Sequence, residues 1–90
     1  MRLDKYLKVS RLIKRRELAK QIIDMGLVKI NNKISKPSSE VNISDLIEIS
    51  NPNGRKIIVK VLDIKPFTSV SEASKLYQIE GEGNEYTFEK

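Results

Sequence analysis

The spacing of apolar residues in the first quarter of the chain predicts two α-helices. The first, over residues 2–9, carries apolar residues at i, i+3 and i+4: Leu3, Tyr6 and Leu7. The second, over residues 15–25, carries a stripe with two flanking residues: Leu18, Ile22 and Met25, widened by Ala19 and Ile23. Residues 10–13 read as a connector. Gly26 follows at a position where helices often end in a left-handed turn.

After Gly26 the pattern changes to short runs of branched apolar residues, which predict strands. Three are expected, over residues 27–30, 41–49 and 56–64. Asn31-Asn32 predicts a hairpin turn, because asparagine tolerates positive φ better than most residues. The run at 51–54 is a second strong turn signal.

This order of elements predicts an α+β fold, with two packed N-terminal helices followed by a small antiparallel β unit. We expect one domain over residues 1–65 and an acidic C-terminal extension over 66–90. Whether the extension packs on the domain is left open by the sequence. Within it we expect a helical turn over residues 71–76, capped by Ser71. Two short strands are expected at 77–79 and 86–88, joined by a turn at 81–84.

Positive charge is concentrated in the first 40 residues, which hold eleven Lys or Arg against four Asp or Glu; the net charge of the whole chain is +5. Positive charge that is concentrated at one end of a chain suits binding to a polyanion. The cations of the two predicted helices are the candidate binding residues: Arg2, Lys5, Lys8, Arg11, Lys14, Arg15, Arg16 and Lys20. Four of them are arginines, whose planar forks can hold a phosphate bidentately.

The kind of polyanion follows from what accompanies these cations. The segment has one aromatic residue, Tyr6, and its place on the apolar stripe favours core packing over base stacking. Folded RNA, recognised by shape and phosphate position, is therefore favoured. Duplex DNA stays open, since Lys20 and Gln21 could serve a recognition helix. Asp4 either stabilises the helix N-terminus or has a binding role, in which it orients a neighbouring arginine or accepts a hydrogen bond from the RNA.

Composition argues against catalysis. The chain has no cysteine and no histidine, which removes disulfides, thiolate metal sites and the usual general base near neutral pH. There is no glycine-rich phosphate loop in a strand-to-helix context. We therefore expect a protein that is not an enzyme and needs no cofactor or metal. No apolar run approaches the roughly 20 residues that span a membrane, and we expect a cytoplasmic protein.

Several motifs resemble those of a known family. They are Arg2-Leu3-Asp4-Lys5-Tyr6-Leu7, Ser10-Arg11-Leu12, Arg15-Arg16, Ile30-Asn31, Lys36-Pro37-Ser38 and Asp45-Leu46-Ile47. In order and spacing they resemble the RNA-binding domain first described in small-subunit ribosomal protein S-four, clearly over residues 1–50. The run 2–16 is similar to short stand-alone members, the heat-shock-fifteen group and above all the RqcP family. Asn32 and Ser44 depart from the pattern, because the family commonly has glycine there, which puts the geometry of both turns in question.

The resemblance implies a factor of bacterial ribosome-associated quality control. Such proteins bind the stalled large ribosomal subunit obstructed by peptidyl-tRNA and contact large-subunit rRNA and the P-site tRNA. They support a tRNA-recruiting tailing factor that adds C-terminal alanine tails to stalled nascent chains. The positions that match are Arg2, Asp4, Lys5, Arg11, Arg15 and Arg16.

Three alternatives remain at this stage. A heat-shock-fifteen-like factor would rescue blocked large subunits without tail synthesis. A targeting part of an RNA-modifying enzyme, such as a pseudouridine synthase, would need a catalytic domain beyond Lys90. A DNA-binding regulator would prefer duplex DNA to structured RNA. We expect a monomer with no membrane partner.

Overall fold

The computed structural model describes residues 1–51 and 53–84. Its elements, in chain order, are α1 (Leu3–Val9), α2 (Arg16–Asp24), β1 (Val28–Ile30), β2 (Lys33–Ile34), β3 (Leu46–Ser50), β4 (Arg55–Val61), α3 (Val70–Ala73) and β5 (Tyr77–Asn84). The five strands form one antiparallel sheet in the order β2-β1-β3-β4-β5. The α+β prediction is confirmed. No helix in the described ranges is both long and apolar enough to cross a membrane.

Helices α1 and α2 pack against each other, and three of the five residues of the predicted apolar stripe contribute to the core: Ala19, Ile22 and Ile23, but not Leu18 or Met25. The apolar residues of α1 are fully buried, as expected: Leu3, Tyr6 and Leu7. In α2 the buried residues are Ala19 and Ile23, whereas Leu18 is 44% and Met25 is 62% exposed. Neighbouring positions on a helix differ by about 100° in direction. The helix therefore turns its small Ala19 and its branched Ile23 towards the core.

The two asparagines at the predicted hairpin both have positive φ, 51° for Asn31 and 70° for Asn32, and Ile30 pairs with Lys33 across them. Ser44, the other departure from the family pattern, has φ of 77°. Asn32 and Ser44 thus adopt the left-handed conformation that a glycine would adopt easily, at some cost in backbone strain. Both turns therefore form without a glycine at these positions.

The C-terminal extension joins the sheet. Strand β5 pairs with β4 along its length, as far as Arg55 opposite Asn84, with an irregularity between Ile58 and Val59. The turn predicted at 81–84 is wrong, because these residues continue the strand. Helix α3 follows Ser69, so Ser71 is not its cap. The strand predicted at 86–88 lies outside the described residues.

The extension also contributes to the core beneath α1. Leu76 is fully buried in the same cluster as Leu3 and Leu7. The Tyr6 hydroxyl donates a hydrogen bond of 2.7 Å to the Leu76 carbonyl, and burial raises the pKa of Tyr6 above its usual range. These contacts hold α1 against the segment between α3 and β5. The division into domains at residue 65 stays a prediction.

Candidate nucleic-acid interface

A buried carboxylate lies at the start of α1. The Asp4 side chain is fully buried, and its Oδ1 accepts a hydrogen bond of 2.8 Å from the backbone N–H of Lys5. Arg2, the residue before the helix, donates to the same carboxylate from Nε at 3.2 Å and from Nη2 at 3.3 Å. The acid thus holds the guanidinium of Arg2 in a two-point contact.

A second arginine reaches the same acid from α2. Arg16 Nη2 donates to Asp4 Oδ1 at 3.4 Å. Arg16 Nε is buried and lies 3.3 Å from Asp4 Oδ2, an ion-pair contact without hydrogen-bond geometry. The side chains of Arg2 and Arg16 remain 51% and 42% exposed, so both keep an open surface. We call this arrangement of Asp4, Arg2 and Arg16 the arginine pair.

The charge state of Asp4 follows from two opposing effects. Burial raises the pKa of the carboxyl, but the hydrogen bonds from Arg16 and Arg2, and that from the Lys5 backbone, outweigh it and hold the pKa below the ordinary value of 3.8. The carboxylate is therefore ionised at neutral pH. It can fix the direction of both guanidinium groups while leaving them cationic.

Beside the arginine pair lies a shallow depression of about 280 Å³. It lies between the exposed side of α1, the connector to α2 and residues 66–68. The lining residues, all within the described ranges, include no carboxylate: Lys5, Lys8, Val9, Arg11, Arg16, Pro66, Phe67 and Thr68. We call it the basic depression. With four cations around one hollow, it is a surface suited to a phosphodiester.

Arg11 enters this depression from a strained backbone. It has φ of 62° and follows the last turn of α1, where its N–H donates to the Lys8 carbonyl at 3.0 Å. A residue with a Cβ in the left-handed region costs roughly 1 kcal/mol. A glycine would relieve that cost but would remove the guanidinium, which is an observation that points towards function.

The remaining candidate cations lie elsewhere on the helices. Lys14 and Arg15 are exposed and line a second hollow, together with Glu17, Leu18 and Gln21. Lys20 forms an ion pair of 3.4 Å with Glu17. The nine predicted residues are therefore not one continuous cluster, since Lys14, Arg15 and Lys20 share their surface with an acid and an exposed leucine.

Sequence reasoning missed Phe67. This side chain is 84% exposed, and Lys5 Nζ lies 5.9 Å from the centroid of its ring. The next residue, Thr68, donates its hydroxyl to the Val9 carbonyl at 2.7 Å, which attaches the segment to the end of α1. No motif marks Phe67, because it lies in the acidic part of the sequence and reaches the basic side only through the fold.

Two packed helices that present an ordered arginine pair, followed by an antiparallel sheet, agree with a match to the S4 domain family. The family model matches residues 1–47, and the chain belongs to this family. Among its relatives is the RQC P-site tRNA stabilizing factor of Bacillus subtilis, 48% identical over 80 residues, which cover 88% of this chain and 91% of that protein. The factor of the same name from Streptococcus pneumoniae is 46% identical, with 88% and 89% covered.

A second group of relatives carries a different name. Heat shock protein 15 of Escherichia coli is 32% identical over 87% of this chain, but the match covers 59% of that protein. The solved structure of Heat Shock Protein 15 from Vibrio cholerae, which is trimeric, superposes with a TM-score of 0.79 at 30% identity, covering 88% of this chain and 80% of that one. The likeness extends across the sheet and is not confined to the helices.

Proposed function

We propose that this protein is an RNA-binding factor of ribosome quality control. It binds the large ribosomal subunit obstructed by peptidyl-tRNA and contacts both large-subunit rRNA and the P-site tRNA. The observation that carries the proposal is the arginine pair, in which buried Asp4 holds both Arg2 and Arg16, and Arg16 also lines the basic depression. The names of the relatives, which specify stabilisation of tRNA in the P site, support it.

The residues proposed to contact RNA are the helical cations together with the acid that orients two of them: Arg2, Asp4, Lys5, Lys8, Arg11, Lys14, Arg15, Arg16 and Lys20. Asp4 acts through the arginines, since its carboxylate is buried. Lys20 contributes less, because Glu17 already offsets part of its charge. The arginine pair supplies direction, and the lysines supply longer-range attraction.

The role proposed is one of binding and not of catalysis, with no cofactor. By holding peptidyl-tRNA in place, the protein supports a tRNA-recruiting tailing factor that adds alanine to the C-terminus of the stalled chain. We propose that it acts in the cytoplasm as a monomer, with residues 1–65 as its RNA-binding unit. The trimeric relative makes the oligomeric state a point to measure by light scattering.

Arg16→Ala tests the binding face. We expect it to abolish co-sedimentation with obstructed large subunits, because one half of the arginine pair is lost. Lys75→Ala is the matched control, since it removes one exposed cation from outside the face. Arg16→Lys separates charge from geometry: it keeps the charge but not the planar fork, so we expect weak binding. Wild-type co-sedimentation by Arg16→Ala, with a native circular dichroism spectrum, would exclude this face.

One alternative has structural support. The similarity to Heat Shock Protein 15 favours a factor that rescues obstructed large subunits without tail synthesis. Deletion of the gene distinguishes the two roles. The tailing role predicts that alanine tails on stalled nascent chains disappear, and the rescue role predicts that they persist while obstructed subunits accumulate.

A further inference from the structure

Phe67 raises a question that phosphate binding does not answer. Single exposed apolar side chains are normal on protein surfaces, so its exposure of 84% is not informative by itself. Its surroundings are informative. The ring borders a hollow that Lys5, Lys8 and Arg11 also line. Cations are sufficient to bind phosphates, and an aromatic ring adds nothing to that interaction.

The backbone on either side of Phe67 is restrained. Pro66 precedes it and restricts the backbone. Thr68 follows it and is attached to α1 by the hydrogen bond to the Val9 carbonyl, which as the last carbonyl of the helix has no partner within the helix. Lys5 Nζ lies 5.9 Å from the ring centroid, within cation–π range. Phe67 is thus presented to solvent from a fixed segment.

We propose that Phe67 and the basic depression form a site for one unpaired nucleotide of the bound RNA. The base stacks on the exposed surface of the Phe67 ring, and the phosphates beside it are held by Lys5, Lys8 and Arg11. This inference rests on the proposed RNA-binding function and adds to it a ligand class, an unstacked base in a bulge or loop.

The chemistry of the site favours a base over other apolar groups. Every nucleobase has a π-face, and stacking on an aromatic side chain is worth about 5- to 150-fold in affinity. A nucleotide also brings a phosphate, which matches the four cations around the hollow and the lack of a carboxylate among its lining residues. An apolar peptide side chain would satisfy the ring but would leave that positive charge unmatched.

The size of the hollow agrees with this assignment. At about 280 Å³ it is large enough for one base and open enough for the backbone to pass. A paired base inside a helical stem cannot reach the ring without leaving its stack. The site therefore predicts a preference for RNA with an extruded nucleotide over fully paired RNA.

The test compares two RNA hairpins of the same stem, one fully paired and one with a single bulged adenosine. With full-length protein we expect the bulged hairpin to bind about tenfold more tightly. Phe67→Leu keeps an apolar side chain without a π-face, and we expect it to bring the ratio of the two Kd values close to one. Val70→Ala, a change at an exposed apolar residue nearby, is expected to keep the ratio. An unchanged ratio in Phe67→Leu would overturn the site.

A spectroscopic experiment reports on stacking directly. The chain has no tryptophan, so Phe67→Trp introduces a single tryptophan, which can still stack and can be excited separately from the tyrosines. We expect its emission to be quenched by the bulged hairpin and much less by the paired one, whereas Val70→Trp responds to neither. Equal emission changes with both hairpins would overturn the stacking of an extruded base on this residue.

The outcome is separable from that of the proposed function. Arg16→Ala should weaken both hairpins together and preserve their ratio if the arginine pair binds phosphates. If Arg16→Ala has no effect on either hairpin while Phe67→Leu abolishes the preference, the arginine pair does not contact the RNA and the nucleotide site is right. If instead Arg16→Ala weakens binding of both hairpins and Phe67→Leu leaves their ratio unchanged, the arginine pair contacts RNA and the nucleotide site is wrong.

Discussion

Asp4 and Arg16 are twelve positions apart in the chain and in contact in the fold, with Nη2 of the arginine 3.4 Å from Oδ1 of the acid. The contact joins the first turn of α1 to the first turn of α2. Because Arg2 binds the same carboxylate, one buried anion sets the positions of two cations. An acid in a polyanion-binding surface is therefore expected to strengthen binding, although its charge alone would weaken it.

Asp4→Asn separates these two effects. The variant is one unit more positive, so charge alone predicts tighter binding to RNA. We expect weaker binding instead, by about tenfold, the equivalent of one charge-assisted hydrogen bond of about 1.5 kcal/mol. The free energy of unfolding should also fall by roughly 1–2 kcal/mol, a modest value because both guanidinium groups are half-exposed. Filter binding and urea denaturation measure the two quantities.

The matched control is Glu17→Gln. It makes the same change of charge at an acid that is 80% exposed and pairs only with Lys20 among the contacts described. We expect binding equal to or slightly tighter than wild type. If Asp4→Asn behaves like Glu17→Gln, the acid has no positioning role.

The lowered pKa of Asp4 predicts a pH dependence of stability. Since the folded-state pKa lies below the ordinary value of 3.8, the carboxylate stabilises the fold fully above pH 4–5, and this contribution is lost as the pH falls through the folded-state pKa. The difference in free energy of unfolding between wild type and Asp4→Asn should be constant from pH 5 to 7 and shrink below about pH 4. A difference that grows as the pH falls would mean that the folded-state pKa is raised.

Arg11→Gly should change stability and binding in opposite directions. Relief of the left-handed conformation at φ of 62° is expected to raise the free energy of unfolding by about 0.5–1 kcal/mol, after allowance for the flexibility of glycine in the unfolded chain. Loss of the guanidinium should weaken RNA binding and reduce the slope of log K against log salt by about one.

Ser44→Gly provides the comparison for that variant. Ser44 has a similar φ of 77° but lies in the turn before β3, outside the helices. We expect a similar gain in stability with no change in RNA affinity. A loss of affinity in Ser44→Gly equal to that in Arg11→Gly would assign the effect to the backbone and not to the arginine.

The corrected orientation of α2 can be tested by two truncations. Ile23→Ala should lower the free energy of unfolding by about 2–4 kcal/mol, because Ile23 is 1% exposed in the core. Leu18→Ala should cost less than about 1 kcal/mol, since Leu18 is 44% exposed. Thermal denaturation measures both, and equal losses would contradict the orientation described.

The sequence predicts the existence of the helices better than their orientation. Periodicity identifies α2 because any apolar repeat of about 3.6 residues indicates a helix. It does not decide which part of a broad apolar face is buried: the prediction included Ala19 and Ile23, which are buried, as well as Leu18 and Met25, which are exposed. Only the packing against α1 selects Ala19 and Ile23.

The candidate site could likewise be predicted only in part from the sequence. Its cations could be identified from the sequence, since charge and motif lie within one short segment. Asp4 could be suspected as an orienting acid but not assigned, because its partner Arg16 lies on another helix. Phe67 could not be found, because it reaches Lys5 only through the packing of a distant segment.

The hydrogen bond from Tyr6 to the Leu76 carbonyl spans 70 positions, and that from Thr68 to Val9 spans 59. Contacts this distant in sequence form only after long loops close, which is slow compared with helix formation. Helix α1, which carries the aligning acid Asp4, therefore receives its native support late in folding. A nascent or partly unfolded chain would hold every cation of the motif without their alignment, so affinity for RNA should appear only when these two long-range contacts have formed.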